Sequence, residues 1–295
     1  MQRKIFFNFI FFVRLLTSMI YNYFHKKIYT QSNSCETLIG HLFILPVLFI
    51  MRRKIIVNTK IIFSVMLSLV AEFLSKNSSR KNLFISSYLT QIVKIVIISI
   101  GYAIYQKGKV RRYEIISQVV IIFGFVISII FTNELVSMCP LFFISQLSVI
   151  LFALSQILFY MNLQKIFVLD YIYSFVLFST LFYSTFFLYD YFFSQIINQE
   201  ELSNISLYFY SLSKVLDLIL PILYYVFINP FGSNIYLCVQ YAITLLWNEI
   251  YIRSPVKIHL IIVLLFSLAS LLIYNYCSYK RELCYKKNMS IPSNF

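Results

Sequence analysis

Glycine is scarce in this chain: Gly40, Gly101, Gly108, Gly124 and Gly232 are the only ones in 295 residues. Close glycine-mediated helix crossings must therefore be few, and small-residue packing falls mainly to Ser, Ala and Thr. Charge is scarce too. Charged residues make up 12% of the chain, against about 25% in a soluble domain. With 60% hydrophobic residues and a mean hydropathy of +0.80, little is left over for a soluble domain, and the composition reads as an integral membrane protein. Acidic residues are the rarest class, 11 against 25 basic ones, for a net charge of +14. In a soluble protein that balance points to nucleic acid. Here the basic residues sit in short clusters between apolar runs, the pattern of positive-inside loops, so no nucleic-acid partner is expected. The five cysteines (Cys35, Cys139, Cys238, Cys277, Cys284) form no CxxC pair and no metal-ligand spacing, and read as inert thiols. A phosphate-binding Gly loop, HExxH, GxSxG and an Asp-rich motif are all missing. Neither an enzyme, a catalytic residue, a cofactor nor a metal is expected.

What the chain does have is long apolar runs. A membrane span needs roughly 20 apolar residues, and ten candidates can be placed: 5–24, 37–51, 56–75, 83–105, 114–132, 139–161, 166–190, 203–229, 234–252 and 257–277. The first is longer than the apolar core of a signal peptide (about 7–15 residues) and lacks a small-residue cleavage site, so it reads as a retained span. Pro46 is expected to kink the short second span. Lys214, Asp217 and Pro221 interrupt the eighth, which leaves nine spans as the alternative count. The gap Thr132–Met138 is the natural midpoint.

Two stretches half a chain apart read alike. Ile104–Ile116 lies over Ile250–Ile262 without a gap; Ile, Tyr, Val, Ile and Ile coincide, as do basic Lys107 with Arg253 and Arg111 with Lys257. The overlay places the fourth and fifth spans over the ninth and tenth. Five spans per half is an odd number, so homologous halves 1–132 and 133–295 must insert in opposite orientations. The expected fold is all-α and polytopic, about ten transmembrane helices as two inverted five-helix repeats. Clusters at Arg52–Lys54, Lys107–Arg112 and Lys280–Lys287 fall on the side of the termini, which puts both termini in the cytosol. The cluster Lys76, Arg80 and Lys81 runs against that bias.

Ionisable residues inside the spans are few: Arg14, Lys60, Glu72, Lys94, Lys214, Asp217 and Glu249. A charge at membrane depth costs about 2.5–3.5 kcal/mol on insertion scales and usually faces a bundle interior or a water-filled cavity. Arg14, Lys60 and Glu249 lie near enough to span ends to snorkel. Lys214 and Asp217 lie three apart and can pair along one helix; with Glu72 they are candidates for a gating or structural ion pair. Lys94 sits mid-span with no carboxylate within a helical turn. Its partner is either an anionic ligand in a cavity or Glu72 or Asp217 across helices. His41 and His259 are lone histidines near span ends. Sequons at Asn77 and Asn204 fall on the lumenal side of this layout, and a third at Asn288 on the cytosolic side.

The stretch Ser87-Tyr88-Leu89-Thr90-Gln91-Ile92-Val93-Lys94, the basic turn Lys107–Arg112 and the next span containing Gly124 resemble the nucleotide-sugar transporters. These belong to the drug/metabolite transporter superfamily. Ser155–Lys165, with Tyr160, Gln164 and Lys165, is similar to the end of that family's sixth span. The position that is often Lys in the family's second half is Gln240 here. The resemblance implies Golgi or endoplasmic-reticulum location and exchange of a cytosolic nucleotide sugar, a UDP-sugar first, for lumenal nucleoside monophosphate. It also implies alternating access, one half rocking against the other around a midplane site of Lys94, Tyr88, Gln91, Gln240 and Tyr241. The partners would be nucleotide sugar, nucleoside monophosphate and the bilayer, with homodimerisation open. Three other readings stand beside it: a carrier of another organic anion, a membrane transferase using His41 or His259 as base, and a non-transporting endomembrane assembly protein.

Overall fold

The computed structural model describes residues 11–13, 15–17, 19, 33–50, 55, 58–78, 84–106, 110–132, 140–162, 167–189, 208, 211–212, 216 and 229–289. Among them the fold is all-α, without strands. Eight long helices follow in order: α1 (Asn33–Ile50), α2 (Thr59–Ser78), α3 (Phe84–Tyr105), α4 (Arg112–Ile130), α5 (Pro140–Asn162), α6 (Val168–Tyr189), α7 (Pro230–Ile252) and α8 (Ile258–Met289). They coincide with eight of the predicted spans. The predicted spans at 5–24 and 203–229 fall largely outside the described residues. α1 continues through Pro46.

Four segments are long and apolar enough to cross a membrane: Ile85–Tyr105, Arg112–Ile130, Phe142–Asn162 and Ile258–Arg281. The first, at 21 residues, rises about 31 Å, which matches a hydrocarbon layer of about 30 Å. Large apolar side chains such as Ile104, Ile130 and Leu272 are at least 70% exposed. An outward face of that kind suits lipid and would be an aggregation hazard in water. These helices identify a membrane protein.

Local sequence sets where helices begin. Asn229 takes an extended conformation before α7 and its Oδ1 accepts the Gly232 N–H at 2.9 Å, with Pro230 at the first helical position. Hydropathy alone starts this span at 234, four residues late. α4 begins after Arg111, whose N–H donates to Glu114 Oε2 at 3.0 Å. α7 ends at Arg253 in the left-handed region (φ 57°), which turns the chain into α8. The first residues of α3 and α7, Phe84 and Pro230, are 146 positions apart; so are Arg112 and Ile258, which open α4 and α8.

The buried apolar residues form two cores. One joins α1 (Leu38, Leu48), α2 (Ile61, Val65, Leu69), α5 (Phe159) and α6 (Tyr171, Val176, Tyr183). The other joins α3 (Tyr88, Ile95), α4 (Ile121, Phe125), α7 (Ile235, Cys238, Ala242) and α8 (Val263, Tyr274). Each core therefore takes two consecutive helices from each half of the chain. Among the described residues, the main contact between the two groups is α3 against α5.

Serine does much of the close packing that glycine would do elsewhere, as its scarcity led one to expect. Ser64 Oγ donates to the Ser155 carbonyl (2.9 Å) while Ser155 Oγ donates back to the Ser64 carbonyl (2.8 Å), clasping α2 to α5. Ser270 Oγ donates to the Ser117 carbonyl at 2.7 Å, joining α8 to α4. Glycine serves at two crossings: a Cβ on Gly124 would lie 2.3 Å from Phe266 Cβ, and one on Gly101 2.3 Å from Ile157 Cδ1.

Helix directions follow from paired contacts. Tyr113 meets Tyr274, Ser117 meets Ser270 and Ser128 meets His259, so α4 and α8 are antiparallel. Thr90 meets Gln146, Lys94 meets Phe152 and Tyr102 meets Tyr160, so α3 and α5 run the same way. Tyr102 at the end of α3 packs on Phe231 at the start of α7, and Tyr88 near the start of α3 shares a core with Ala242, farther along α7. α3 and α7 are antiparallel. The bundle thus has an Arg111 end and a His259 end.

Candidate functional site

Lys94 lies halfway along the apolar α3, half-buried. Its ammonium sits over the Phe152 ring of α5, 5.1 Å from the centroid, a cation–π contact on the seam between the two cores. Counting eight residues back from the Tyr102–Phe231 contact reaches Lys94 on α3, and eight or nine forward on α7 reaches Val239 and Gln240. Lys94 and Gln240 thus share one depth, roughly 12 Å inside that contact.

Gln240 is buried, and its Oε1 has no hydrogen-bond partner. The same holds for Ser233 Oγ, both side-chain atoms of Asn234, the Tyr241 hydroxyl and Thr244 Oγ1 on α7, and for Ser99 Oγ on α3 and Gln146 Oε1 on α5. Tyr241 lies toward Ser87 of α3, without forming a hydrogen bond of normal geometry. Each such atom costs about 1–3 kcal/mol when it is left without water or a ligand. A line of them along α7, opposite Lys94, is suited to a polar guest or to water. Gln91, one turn before Lys94, is half-buried.

At the Arg111 end a small cleft is lined by Ile98, Tyr102, Tyr105, Gln156, Tyr160 and Pro230, among others. Its walls are edge-to-face rings: Tyr102–Tyr160 at 5.1 Å, Tyr105–Tyr160 at 5.9 Å and Tyr102–Phe231 at 5.3 Å. Ile98, the residue one turn beyond Lys94, lines it too.

The other expected site residues are placed differently. Tyr88 is fully buried; its hydroxyl is 2.7 Å from His259 Nδ1 and its ring packs on Phe125. It faces the α3–α4–α8 core, away from the Lys94–Phe152 seam. Lys60 is exposed at the start of α2, and Glu249 near the end of α7 accepts from the Ser254 hydroxyl, as span-end positions require. Glu72 falls on α2, while Lys214 and Asp217, and with them the expected ion pair, lie outside the described residues.

One buried carboxylate escaped notice in the sequence. Glu114 is 3% exposed; it accepts the Asn229 Nδ2 amide and the Arg111 N–H. Asn229 Oδ1 also accepts the Tyr274 hydroxyl at 3.0 Å, and Gln118 Nε2 donates to the Phe231 carbonyl at 2.8 Å. This clamp fastens the starts of α4 and α7 to the middle of α8. The Arg111–Glu114 ion pair, 4.0 Å long with Arg111 half-exposed, adds little to it. The available signal was Glu114 three residues after Arg111 at a span start, the spacing of a capped helix. At the His259 end the Tyr88–His259 bond and Ser128 Oγ on the His259 carbonyl (3.1 Å) join α3, α8 and α4.

These features define a polytopic helical membrane protein with a charged and polar seam between two cores. No family model matches the chain, and no curated protein matches it.

Proposed function

We propose that the protein is a carrier that moves an organic anion across an endomembrane, in the nucleotide-sugar class, by exchange for a nucleoside monophosphate. The observation that carries the reading is Lys94: a cation halfway through an apolar span, at the depth of Gln240, on the seam between two separately packed cores. Binding sites of carriers lie near the midplane where two structural units meet. Lys94 would neutralise phosphate, with Gln91, Gln240 and Tyr241 supplying hydrogen bonds to the rest of the ligand. The unpaired polar atoms of α7 are consistent with a guest carrying neutral polar groups beside its charge.

The inverted-repeat reading has support of its own. α4 and α8 start 146 positions apart, as corresponding spans of the two halves, and run antiparallel. Ten spans also suit the connections. α6 begins beside the Tyr160 and Pro230 cleft, so its end and the start of α7 lie at opposite ends of the bundle, as a further span between them requires. Golgi or endoplasmic-reticulum residence with cytosolic termini follows from the basic clusters and the proposed substrate.

The test is exchange in proteoliposomes holding the purified chain and preloaded with UMP, GMP or CMP. UDP-, GDP- and CMP-sugars are offered outside. Uptake should depend on the matching monophosphate inside. Lys94→Ala should abolish it without loss of folded protein, and Lys94→Arg should keep a fraction. If no pair exchanges, the nucleotide-sugar reading fails; if Lys94→Ala exchanges normally, the assigned site fails.

A further inference from the structure

We infer that the moving units of this protein are its two interleaved cores, sliding along the α3–α5 seam, and not the first half of the chain against the second. The contacts inside each core are locks. In the first, the reciprocal Ser64–Ser155 hydrogen bonds, with Tyr171 OH 3.1 Å from Ser64 Oγ, tie α2, α5 and α6 together. In the second, Glu114–Asn229–Tyr274 and Gln118 on the Phe231 carbonyl hold one end. Tyr88–His259 and Ser128 hold the other, and Gly124 against the root of the Phe266 side chain fixes the middle.

The seam between them is of another kind. Among the described residues, a side-chain hydrogen bond across it, Gln146 Nε2 to Thr90 Oγ1, is long at 3.3 Å. Gln146 Oε1 and Ser99 Oγ make none. Ring edges and the ammonium over Phe152 make further contacts there, which tolerate displacement because they lack the narrow angular demand of a hydrogen bond. Parallel helices meeting through rings can shift by shear, the small sliding of packed elements. Gly101 lets the backbones approach there, and the atom it makes room for is Ile157 Cδ1, the free tip of a side chain. Lys94 and the aromatic cleft both lie on this seam, so a slide changes the surroundings of the proposed ligand.

The inference takes the carrier reading as its premise, yet its test uses no substrate. Spin-label pairs are placed at exposed positions on the full chain in nanodiscs, with the native cysteines replaced. Phe63–Leu154 lies within the first core and Ile116–Leu272 within the second; Phe167–Tyr276 and Leu188–Ile258 span the two. Gly101→Leu wedges the seam. It should move both spanning distances by several ångströms and leave both internal ones unchanged. Gly124→Leu, inside a core, should instead lower the unlabelled chain's melting temperature well below that of Gly101→Leu. Internal distances that move with the wedge overturn the inference, as do spanning distances that stay put or equal thermal damage from the two substitutions. A chain that slides but exchanges no nucleotide sugar refutes the substrate and not the joint. One that exchanges without sliding refutes the joint alone.

Discussion

Replacing Asn229 by aspartate tests the clamp at the Arg111 end, because capping and clamping give opposite signs. As an N-cap, Asp is as good as Asn, and a negative charge at a helix start gains about 0.3–1 kcal/mol. On capping grounds Asn229→Asp is neutral or mildly stabilising. In the clamp, the Asn229 Nδ2 amide donates to the buried Glu114 carboxylate while its Oδ1 accepts from Gly232 and Tyr274. Aspartate keeps both accepted bonds and removes the donor. The lost charge-assisted bond is worth about 1.5–3 kcal/mol. Two carboxylates at contact repel by about 4 kcal/mol at an effective dielectric of 20. Movement of the two side chains apart relieves part of that, which leaves a net loss of about 3–5 kcal/mol. Against a typical total of about 5–15 kcal/mol, the change is large. Thermal unfolding of the detergent-solubilised full chain should show a much lower melting temperature at pH 7.5. Adding Glu114→Gln restores one amide and one carboxylate with their places exchanged, and should recover more than half of the loss. An Asn229→Asp protein that melts with the wild type at pH 7.5, or a double substitution no better than the single one, refutes the clamp.

Two further substitutions probe other joints. Tyr88→Phe removes only the hydroxyl bound to His259 and should cost about 1–2 kcal/mol in the same melt; no change would mean that the Tyr88–His259 bond is not formed. Ser155→Ala deletes one arm of the α2–α5 clasp, and interhelical bonds in membranes average about 0.6 with a maximum near 1.7 kcal/mol. Its melting point should fall slightly, and a loss as large as that of Asn229→Asp would contradict the packing described.

Hydropathy was a good guide to where the helices lie and a poor one to how they end and meet. The run predicted at 83–105 is α3 almost to the residue, because lipid thickness and apolar length report the same quantity. α7 begins before its apolar run because Asn229 and Pro230 start a helix whatever its hydropathy. α8 continues to Met289, well past the predicted 277, because a helix may leave the lipid intact through Lys280 and Arg281. Lys94 was legible as a site candidate because a mid-span charge is costly wherever it points. Tyr88 shares its stretch but turns to His259, 171 positions away, and no local pattern encodes that partner. The Glu114–Asn229 pair spans 115 positions and was hidden for the same reason. The serine-for-glycine substitution at crossings was legible from composition, since something small must occupy close approaches.

The interleaving of the cores has a consequence for how the chain is made. When α1 to α4 have entered the membrane, neither core is complete: Ser64 waits for Ser155, Tyr88 for His259 and Glu114 for Asn229. The first half must therefore sit in lipid with buried-to-be polar groups unpaired until the second half arrives, a burden that grows with any pause in synthesis. A fragment ending at the midpoint would hold two helix pairs that belong to different cores, without the partners of either. Insertion of this protein is thus a task for the whole chain, and the membrane's own insertion and quality-control machinery would see an unfinished product until α8 is in place.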